Sequence, residues 1–292
     1  MRILITGKNG QLGRSLQDVF AGTDHQIFAY ASGELDITDQ DQVGKVLTRD
    51  LPDIIVNAAA YTAVDKAEDE HEKAFQVNAN GAENLAIYAQ LANIPLIHIS
   101  TDYVFDGNGV LPYKTDDATH PQGVYGKSKL AGERAVTETA IKHIVFRTSW
   151  VFSEYGHNFV KTMLRLGEER NQLGVVADQY GCPTYAGDLA LAIKSVCHQY
   201  EQQAALSWGV YHFCGDLATS WHGFARSIFM LAEQEGVLGN RPALNAIESS
   251  TFPTSAERPA FSVLDTHSLS ELNLVPSNWL VGLKKCVVCF NK

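Results

Sequence analysis

The stretch Arg2-Ile-Leu-Ile-Thr-Gly7-Lys-Asn-Gly10-Gln-Leu-Gly13 decides the fold of this chain. A short apolar run is followed at once by three glycines at three-residue spacing, and a helical pattern begins within them. Strand, tight turn and helix N-terminus in this order form the device that binds the pyrophosphate of a dinucleotide. The spacing is GxxGxxG rather than GxGxxG, so the interpretation depends on the flanking strand and helix.

The alternation of strands and helices continues through the first half of the chain. Strands are predicted at Arg2–Thr6, Gln26–Tyr30, Asp53–Asn57, Pro95–Ser100 and His143–Thr148. Helices are predicted between them at Gln11–Phe20, Asp39–Arg49, Val64–Ala92 and Val124–Thr139. Such units predict a parallel sheet with right-handed crossovers and helices on both faces. We therefore expect an α/β protein with a Rossmann-like, doubly wound parallel sheet.

After about residue 150 the regular alternation of strands and helices is lost. Helices are predicted at His157–Glu169, Ala186–His198 and Ser220–Glu235, strands at Gly174–Ala177 and Gly209–Cys214, and a loop at 239–262. We expect 1–150 to form the dinucleotide-binding domain, with some later segments returning to it. Residues 151–292 should form mainly a smaller C-terminal substrate-binding lobe over the carboxyl edge of the sheet, where open α/β folds bind ligands. The acidic stretch Asp65–Glu72 is interpreted as a solvated helix face.

The composition is typical of a soluble globular protein, with 45% hydrophobic and 19% charged residues. A formal net charge of -10 repels nucleic acid and anionic membranes, so we expect neither as a partner. No apolar run approaches the roughly 20 residues of a membrane-spanning helix, and no signal peptide is evident, so we expect a cytoplasmic location. The five scattered cysteines are not typical of a disulfide framework.

A tyrosine and a lysine follow the fourth predicted strand in Tyr125-Gly-Lys-Ser-Lys129. On a helix this spacing puts both side chains on one face. The phenol of a free tyrosine has a pKa near ~10, and a neighbouring ammonium favours the phenolate and lowers that pKa. We therefore predict that Tyr125 gives a proton to a developing alkoxide, while Lys129 lowers the pKa of Tyr125 and binds the nicotinamide ribose.

The fourth strand ends in Ile97-His-Ile-Ser100-Thr101-Asp102, at the edge of the sheet that a nicotinamide would face. Thr101 is the candidate for orienting a substrate carbonyl by a hydrogen bond. Ser100 is its competitor, because alternate residues of a strand point to opposite faces. With the glycine turn, these residues predict a reductase in which NAD(P)H transfers a hydride to a ketone carbon.

The adenosine end leaves the choice between NADPH and NADH open. Where NAD enzymes usually carry an acidic residue, the second strand ends in Ala29-Tyr-Ala-Ser32, with no carboxylate and no arginine. Ser32 suits either a ribose hydroxyl or a 2′-phosphate, so dual use is plausible. Asp36 and Ile37 are candidates for adenine contact or simply for the start of the next helix. Ala58–Ala60, after the third strand, leave room for the cofactor.

Six motifs resemble the extended short-chain dehydrogenase/reductase superfamily and, within it, the family of dTDP-4-dehydrorhamnose reductases. They are Gly7–Gly13, Val56–Glu68, Ser100–Gly107, Val124–Glu133, Phe146–Phe152 and Asp178–Thr184. The resemblance covers essentially the whole chain. It implies that NADPH or NADH reduces the 4-keto group of dTDP-4-dehydro-L-rhamnose to dTDP-L-rhamnose, in dTDP-rhamnose and cell-surface polysaccharide biosynthesis.

The pattern and the resemblance together assign expected roles to single residues. The expected catalytic residues are Thr101, Tyr125 and Lys129. The expected coenzyme-binding residues are Gly7, Gly10, Gln11, Leu12, Gly13, Asp36, Ile37, Ala58, Ala59, Ala60, Thr62, Tyr125 and Lys129. The expected substrate-binding residues are Thr101, Asp102, Tyr103, Trp150 and Arg258. Trp150 would stack on the sugar or be a core aromatic, and Arg258 would bind the diphosphate.

Three positions depart from the family pattern. Certain members carry a glutamate where this chain has Ser15, and they use it to bind Mg²⁺ at a dimer interface. We therefore expect no metal here, and a homodimer stays open. Cys182 replaces a smaller residue, and Gly123 stands where relatives often have asparagine.

The sequence leaves two alternatives to a reductase open. A nucleotide-sugar dehydratase or epimerase is the first, although dehydratases typically show Thr-Asp-Glu where this chain has Thr101-Asp102-Tyr103. The second is a non-catalytic regulatory subunit like the β subunit of methionine adenosyltransferase, which resembles the same family. The presence of Thr101, Tyr125 and Lys129 favours catalysis.

Overall fold

The structure is a computed structural model that describes residues 1–203 and 206–290. Its strands are β1 Arg2–Thr6, β2 Gln26–Tyr30, β3 Ile54–Asn57, β4 Leu96–Thr101, β5 His143–Thr148, β6 Val151–Phe152, β7 Gln172–Val176, β8 Tyr180–Gly181, β9 Thr184–Tyr185, β10 Gly209–His212, β11 Thr219–Ser220 and β12 Ala243–Ile247. Its α-helices are α1 Gln11–Phe20, α2 Gln40–Asp50, α3 Val64–Ala67, α4 His71–Phe75, α5 Gly81–Ala92, α6 Val124–Thr139, α7 Phe159–Glu169, α8 Ala186–Gln203, α9 Trp221–Gln234 and α10 Trp279–Val288.

A six-stranded sheet in the order β10-β5-β4-β3-β1-β2 forms the centre of the molecule. All of its neighbouring strands pair in parallel. The chain adds β2 on one side of β1 and β3 on the other, so the strand order reverses at β1. A reversal of this kind opens a crevice at the carboxyl ends of the strands, and ligands bind there in doubly wound folds. The expected Rossmann-like sheet is confirmed.

The apolar runs of the strands are buried on both faces of the sheet. Ile3 and Ile5 pack in the cluster that includes α1 and α8 residues, whereas Leu4 packs in the cluster that includes α2 and α5 residues. All three side chains are fully buried, and each such burial stabilises the fold by roughly 1.5–3 kcal/mol. The continuous apolar strand in the sequence thus reflects helices on both sides.

A second core lies among α7, α9, α10 and β7. Other parts of the second half join the central sheet, because β10 pairs with β5 and α8 packs against α1. The assignment of 151–292 mainly to a substrate-binding lobe stays a prediction. In the described part of the chain, no helix is long and apolar enough to cross a membrane.

Two predicted elements are wrong in detail. The predicted loop at 239–262 contains β12, which pairs in parallel with β7; three of its five side chains are exposed, so the sequence lacks the usual apolar pattern. The predicted helix Val64–Ala92 is divided into α3, α4, a π-helical turn at Gln76–Asn80 and α5. Hydrophobic periodicity does not reveal a π-turn, because a single i→i+5 turn barely alters the helical pattern.

Candidate active site

The glycine turn fits a dinucleotide pyrophosphate. Gly7 has a φ of +71°, and a Cβ there would lie 2.6 Å from the Ala58 carbonyl oxygen. A Cβ on Gly13 would lie 2.2 Å from the Gly7 carbonyl oxygen, so this close packing of turn and helix requires glycine. Gly10 precedes α1 without any side-chain cap. The first amides of the helix are therefore not capped by a side chain, as an anion-binding helix N-terminus requires.

The other predicted coenzyme-binding residues lie around the carboxyl ends of β1–β3, but several of their side chains have structural partners. The Leu12 and Ile37 side chains are buried in the core, and the Asp36 carboxylate accepts hydrogen bonds from Thr38. Ala58, Ala59 and Ala60 directly follow β3 and are partly exposed, and Thr62 is exposed. Leu12 and Ile37 therefore have only backbone groups free for a cofactor.

Gln11 links the start of α1 to the chain after β5. Its amide nitrogen donates to the Val151 carbonyl at 3.2 Å. Its amide oxygen accepts from the Ser153 hydroxyl at 3.1 Å and from the Asn158 amide at 2.9 Å. The side chain of Gln11 is therefore occupied within the protein.

Tyr125 and Thr101 meet at the carboxyl end of β4. The Tyr125 phenol lies near the Thr101 side chain, and burial raises the pKa of Tyr125 to about 12. The contact with Thr101 opposes this rise, and the Asp102 carboxylate adds to it. Ser100, the competitor of Thr101, has a buried hydroxyl with no hydrogen-bond partner among the described residues. The geometry thus pairs Tyr125 with Thr101.

Lys129 lies one turn after Tyr125 on α6 and is 2% exposed. Its ammonium donates to the Ile99 carbonyl on β4 at 2.5 Å. Burial lowers the pKa of Lys129 to about 8, and the Glu133 carboxylate counteracts this effect. The predicted lowering of the Tyr125 pKa by Lys129 is not seen: burial raises the pKa of the phenol, and the Lys129 ammonium is bound to the Ile99 carbonyl instead. Tyr125 is therefore protonated at neutral pH, which is the form that a proton donor needs.

Asp102 is a buried carboxyl group beside this pair. It is 2% exposed, and its Oδ1 accepts a hydrogen bond from the Thr101 hydroxyl at 2.9 Å. Its Oδ2 is buried with no hydrogen-bond partner in the described part of the chain. Burial raises the pKa of Asp102 to about 6. The Thr101 hydroxyl proton is therefore directed at Asp102 rather than toward the cleft.

The raised pKa of Asp102 predicts a pH-dependent stability. A folded-state pKa of about 6 exceeds the unfolded value of about 3.9, so this group stabilises the fold below about pH 4, and that contribution is lost as the pH rises through 6. We expect Asp102→Asn to gain stability relative to wild type between pH 4 and 7, by up to about 3 kcal/mol. Urea unfolding across this range measures the difference. The exposed Asp24→Asn is the control, and parallel curves for Asp102→Asn and wild type would contradict the prediction.

The N-terminus of α6 is held by Glu68, a residue of the acidic stretch. The Val124 amide donates to the Glu68 carboxylate at 2.8 Å. Gly123, at the cap position, has no side chain of its own, and a Cβ there would lie 2.7 Å from the same carboxylate oxygen. A carboxylate is favourable at a helix N-terminus. Glu68 therefore fixes the helix that carries Tyr125, and the prediction of a wholly solvated face for this stretch is wrong.

Asn78 in the π-turn connects two walls of the crevice and was missed by the sequence analysis. Its side chain is buried and makes hydrogen bonds with both the amide and the carbonyl of Tyr61, at 2.8 and 3.1 Å. It also donates to the Ser128 hydroxyl on α6 at 2.9 Å. The segment after β3 and the helix of Tyr125 are thereby fixed to each other. The sequence carried no signal for this role, because the π-turn that marks it, a feature frequent at functional sites, is visible only in the structure.

Arg258 is held beside the pocket by Asp65. The two side chains form a bidentate ion pair with N···O distances of 3.1 and 2.8 Å. The Arg258 side chain is 27% exposed and lies near Tyr103. Burial lowers the pKa of the guanidinium, but the hydrogen bonds and charge of Asp65, together with Tyr103, raise it by more. Tyr103 in turn packs edge-to-face on Tyr125, with ring centroids 5.5 Å apart. Arg258, Tyr103 and Tyr125 therefore lie along one side of the cleft.

Trp150 lies in a narrow slot directly after β5. Its φ of +48° is unusual for a bulky residue and marks a locally strained backbone. One face of the indole stacks on Trp221, with ring centroids 3.5 Å apart. A Cβ on Gly181 would lie 2.6 Å from the indole, so the slot requires glycine on that side. Trp150 is thus partly buried against the second core.

The described residues contain no group of three histidine, cysteine, aspartate or glutamate side chains placed to hold a metal ion. The Ser15 hydroxyl, which replaces the metal-binding glutamate of certain relatives, donates to the Gln11 carbonyl at 3.0 Å. The cysteines, including Cys182, Cys286 and Cys289, are free thiols.

Comparison with known proteins identifies the family. The family model of the RmlD substrate binding domain matches residues 1–291. A dTDP-4-dehydrorhamnose reductase from Aggregatibacter actinomycetemcomitans is 46% identical to this chain, over 97% of each protein. The chain belongs to the dTDP-4-dehydrorhamnose reductase family. The Escherichia coli K12 reductase is 42% identical, over 98% of this chain and 96% of the relative.

Solved structures agree with this membership. The dTDP-4-dehydrorhamnose reductase of Clostridium acetobutylicum has a TM-score of 0.92 and 36% identity, with 100% of both chains covered. The Bacillus anthracis reductase, solved in complex with NADP, has a TM-score of 0.90 and 39% identity, with 98% of both chains covered. A Thermus thermophilus UDP-glucose 4-epimerase with NAD shares the fold at 18% identity and a TM-score of 0.80. The expected reductase family is confirmed, and the chain is an oxidoreductase that uses a nicotinamide cofactor.

Proposed function

We propose that this reductase uses NADPH or NADH to convert dTDP-4-dehydro-L-rhamnose into dTDP-L-rhamnose, the reduction that serves dTDP-rhamnose biosynthesis. The observation that carries the proposal is the position of Tyr125 on α6 near Thr101, the last residue of β4. This pair lies at the same edge of the sheet as the glycine turn after β1. A proton donor and a dinucleotide cradle at one edge suit the reduction of a carbonyl.

Tyr125 is the proton donor in this proposal. The bound coenzyme supplies a hydride to the sugar C4. As negative charge develops on the C4 oxygen, the Tyr125 phenol gives it a proton. A phenol whose pKa is raised to about 12 holds that proton until the alkoxide forms.

Lys129 supports the donor from the same helix face. Its ammonium is anchored on the Ile99 carbonyl, within the wall that would face the nicotinamide ribose. With its pKa lowered to about 8, it remains mostly charged at neutral pH. We assign it to the ribose hydroxyls of the coenzyme.

The sugar nucleotide is assigned to the side of Tyr125 that carries Tyr103 and Arg258, and the coenzyme to the side that carries Lys129. Arg258 keeps N–H groups beyond those bound to Asp65, and these suit a diphosphate oxygen. The ring of Tyr103 and the partly exposed part of the Trp150 indole suit the apolar face of a deoxysugar. Asp102 Oδ2, which has no hydrogen-bond partner among the described residues, suits a sugar hydroxyl.

We also place the reaction in the cytoplasm. A homodimer is the oligomer that we propose to test for by light scattering.

The test is the loss of absorbance of NADPH, and separately of NADH, with dTDP-4-dehydro-L-rhamnose. We expect oxidation that depends on the sugar and that yields dTDP-L-rhamnose. A folded protein that binds coenzyme but oxidises neither form would overturn the proposal and favour a binding subunit. Release of tightly held NAD on denaturation, with no net oxidation, would favour an epimerase or dehydratase.

A further inference from the structure

The last residue of β2 does not take part in the adenosine site. Tyr30 stands where many NAD enzymes carry an acid, but its hydroxyl is held between Asp50 and Arg49 at the end of α2. Its ring packs against the core cluster that includes α2 and α5 residues. Recognition of the adenosine ribose must therefore come from other side chains at this edge.

Two charged side chains meet at this edge instead. Lys8 follows the first glycine of the turn, and its amide donates to the Tyr30 carbonyl at 3.0 Å. The Lys8 ammonium lies 2.6 Å from the Glu34 carboxylate. Glu34 also accepts a hydrogen bond from the Ala31 amide at 2.8 Å. The pair thus bridges the glycine turn and the end of β2, and neither side chain is buried.

The two charges match the two forms of the coenzyme. In dinucleotide-binding folds a carboxylate near the end of β2 binds the ribose 2′-hydroxyl of NAD, and a cation in that region accommodates the 2′-phosphate of NADP. Lys8 and Glu34 offer one group of each kind. The ion pair also reduces the repulsion between the Glu34 carboxylate and the 2′-phosphate of NADPH, because the neighbouring Lys8 ammonium screens the carboxylate.

We infer that Lys8 and Glu34 set the coenzyme preference of this enzyme. Glu34 accepts the hydrogen bond of the 2′-hydroxyl of NADH, and Lys8 binds the 2′-phosphate of NADPH. The inference rests on the proposed function only in that the chain binds a nicotinamide coenzyme. Dual coenzyme use then follows from this ion pair, because Glu34 contacts NADH and Lys8 contacts NADPH.

The expected result is a change of preference in opposite directions. Wild type should bind NADH and NADPH with dissociation constants within about tenfold of each other. Glu34→Gln should move the ratio of these constants about tenfold toward NADPH, because the repulsion of the phosphate is removed. Lys8→Met should move it about tenfold toward NADH. A charge-assisted hydrogen bond at a half-exposed site is consistent with this magnitude.

The experiment is calorimetric titration of the full chain without any sugar. NADPH is compared with NADH, and 2′,5′-ADP with ADP, so that the adenosine end is also measured alone. Lys284→Met breaks another exposed ion pair, with Glu235, and serves as the matched control that should leave all four constants unchanged. Circular dichroism verifies that each variant is folded.

The inference fails if both variants change NADH and NADPH affinity by the same factor, or change neither. It also fails if wild type binds neither coenzyme. Failure of the sugar reduction is a separate result, because a chain that binds both coenzymes and shows the opposite shifts supports the inference whatever the sugar.

Discussion

Replacing Tyr125 with phenylalanine should lower kcat for sugar reduction by about 10²–10⁴-fold, the usual contribution of a positioned general acid. Phenylalanine keeps the edge-to-face packing on Tyr103 but has no proton to give. The fold should persist, because the ring stays in the same apolar surroundings of α6 and α4. The developing alkoxide would then take its proton from water, which this half-buried site admits poorly.

Steady-state kinetics with saturating NADPH measure this loss, and calorimetry should show nearly unchanged coenzyme affinity. Tyr200→Phe, which removes a hydroxyl on α8 away from the cleft, is the control and should keep full activity. Retention of more than about a tenth of kcat in Tyr125→Phe would remove the tyrosine from the role of proton donor.

Replacing Arg147 with methionine should cost about 3–5 kcal/mol of unfolding free energy, because it leaves a buried carboxylate without its partner. Arg147 on β5 and Glu133 on α6 form an ion pair whose side chains are only 6% and 4% exposed. The guanidinium donates three times to the two Glu133 oxygens, at 2.8 to 3.1 Å. It also donates to the Thr115 carbonyl at 3.2 Å.

Urea unfolding at pH 7 measures this effect. Arg165→Met is the control, because its ion pair with Glu169 is 59% and 51% exposed and such pairs contribute little to stability. A loss below about 1 kcal/mol for Arg147→Met would mean that water reaches the pair and screens it. Glu133 lies one turn beyond Lys129, so the variant should also reduce activity by disturbing α6.

The sequence was sufficient where one local pattern determines the structure. β1, α1, β5 and α6 begin and end at the predicted residues, since apolar runs, glycines and helical spacing are all properties of neighbouring residues. The same reasoning placed Thr101 at the carboxyl end of β4 and Tyr125 with Lys129 on one helix. Parallel strands bring their carboxyl ends to one edge, so these residues could be expected close together.

The sequence was insufficient where a side chain binds a residue outside its own helix or strand. Asp65 and Glu68 belong to a stretch that resembles a solvated helix, but they bind Arg258 and the start of α6. No local pattern predicts partners that lie 193 and 56 positions away along the chain. The raised pKa values of Asp102 and Tyr125 have the same origin, because burial depends on what packs over a residue.

The amide of Gln11 has a mechanical consequence. It stands at the first turn of the helix that would hold the pyrophosphate, and it is bonded to three groups between Val151 and Asn158. The side chain of Gln11 thus connects the helix beside the expected coenzyme site to the segment beyond Trp150. The first turn of α1 and the segment from Val151 to Asn158 are therefore expected to move together rather than independently.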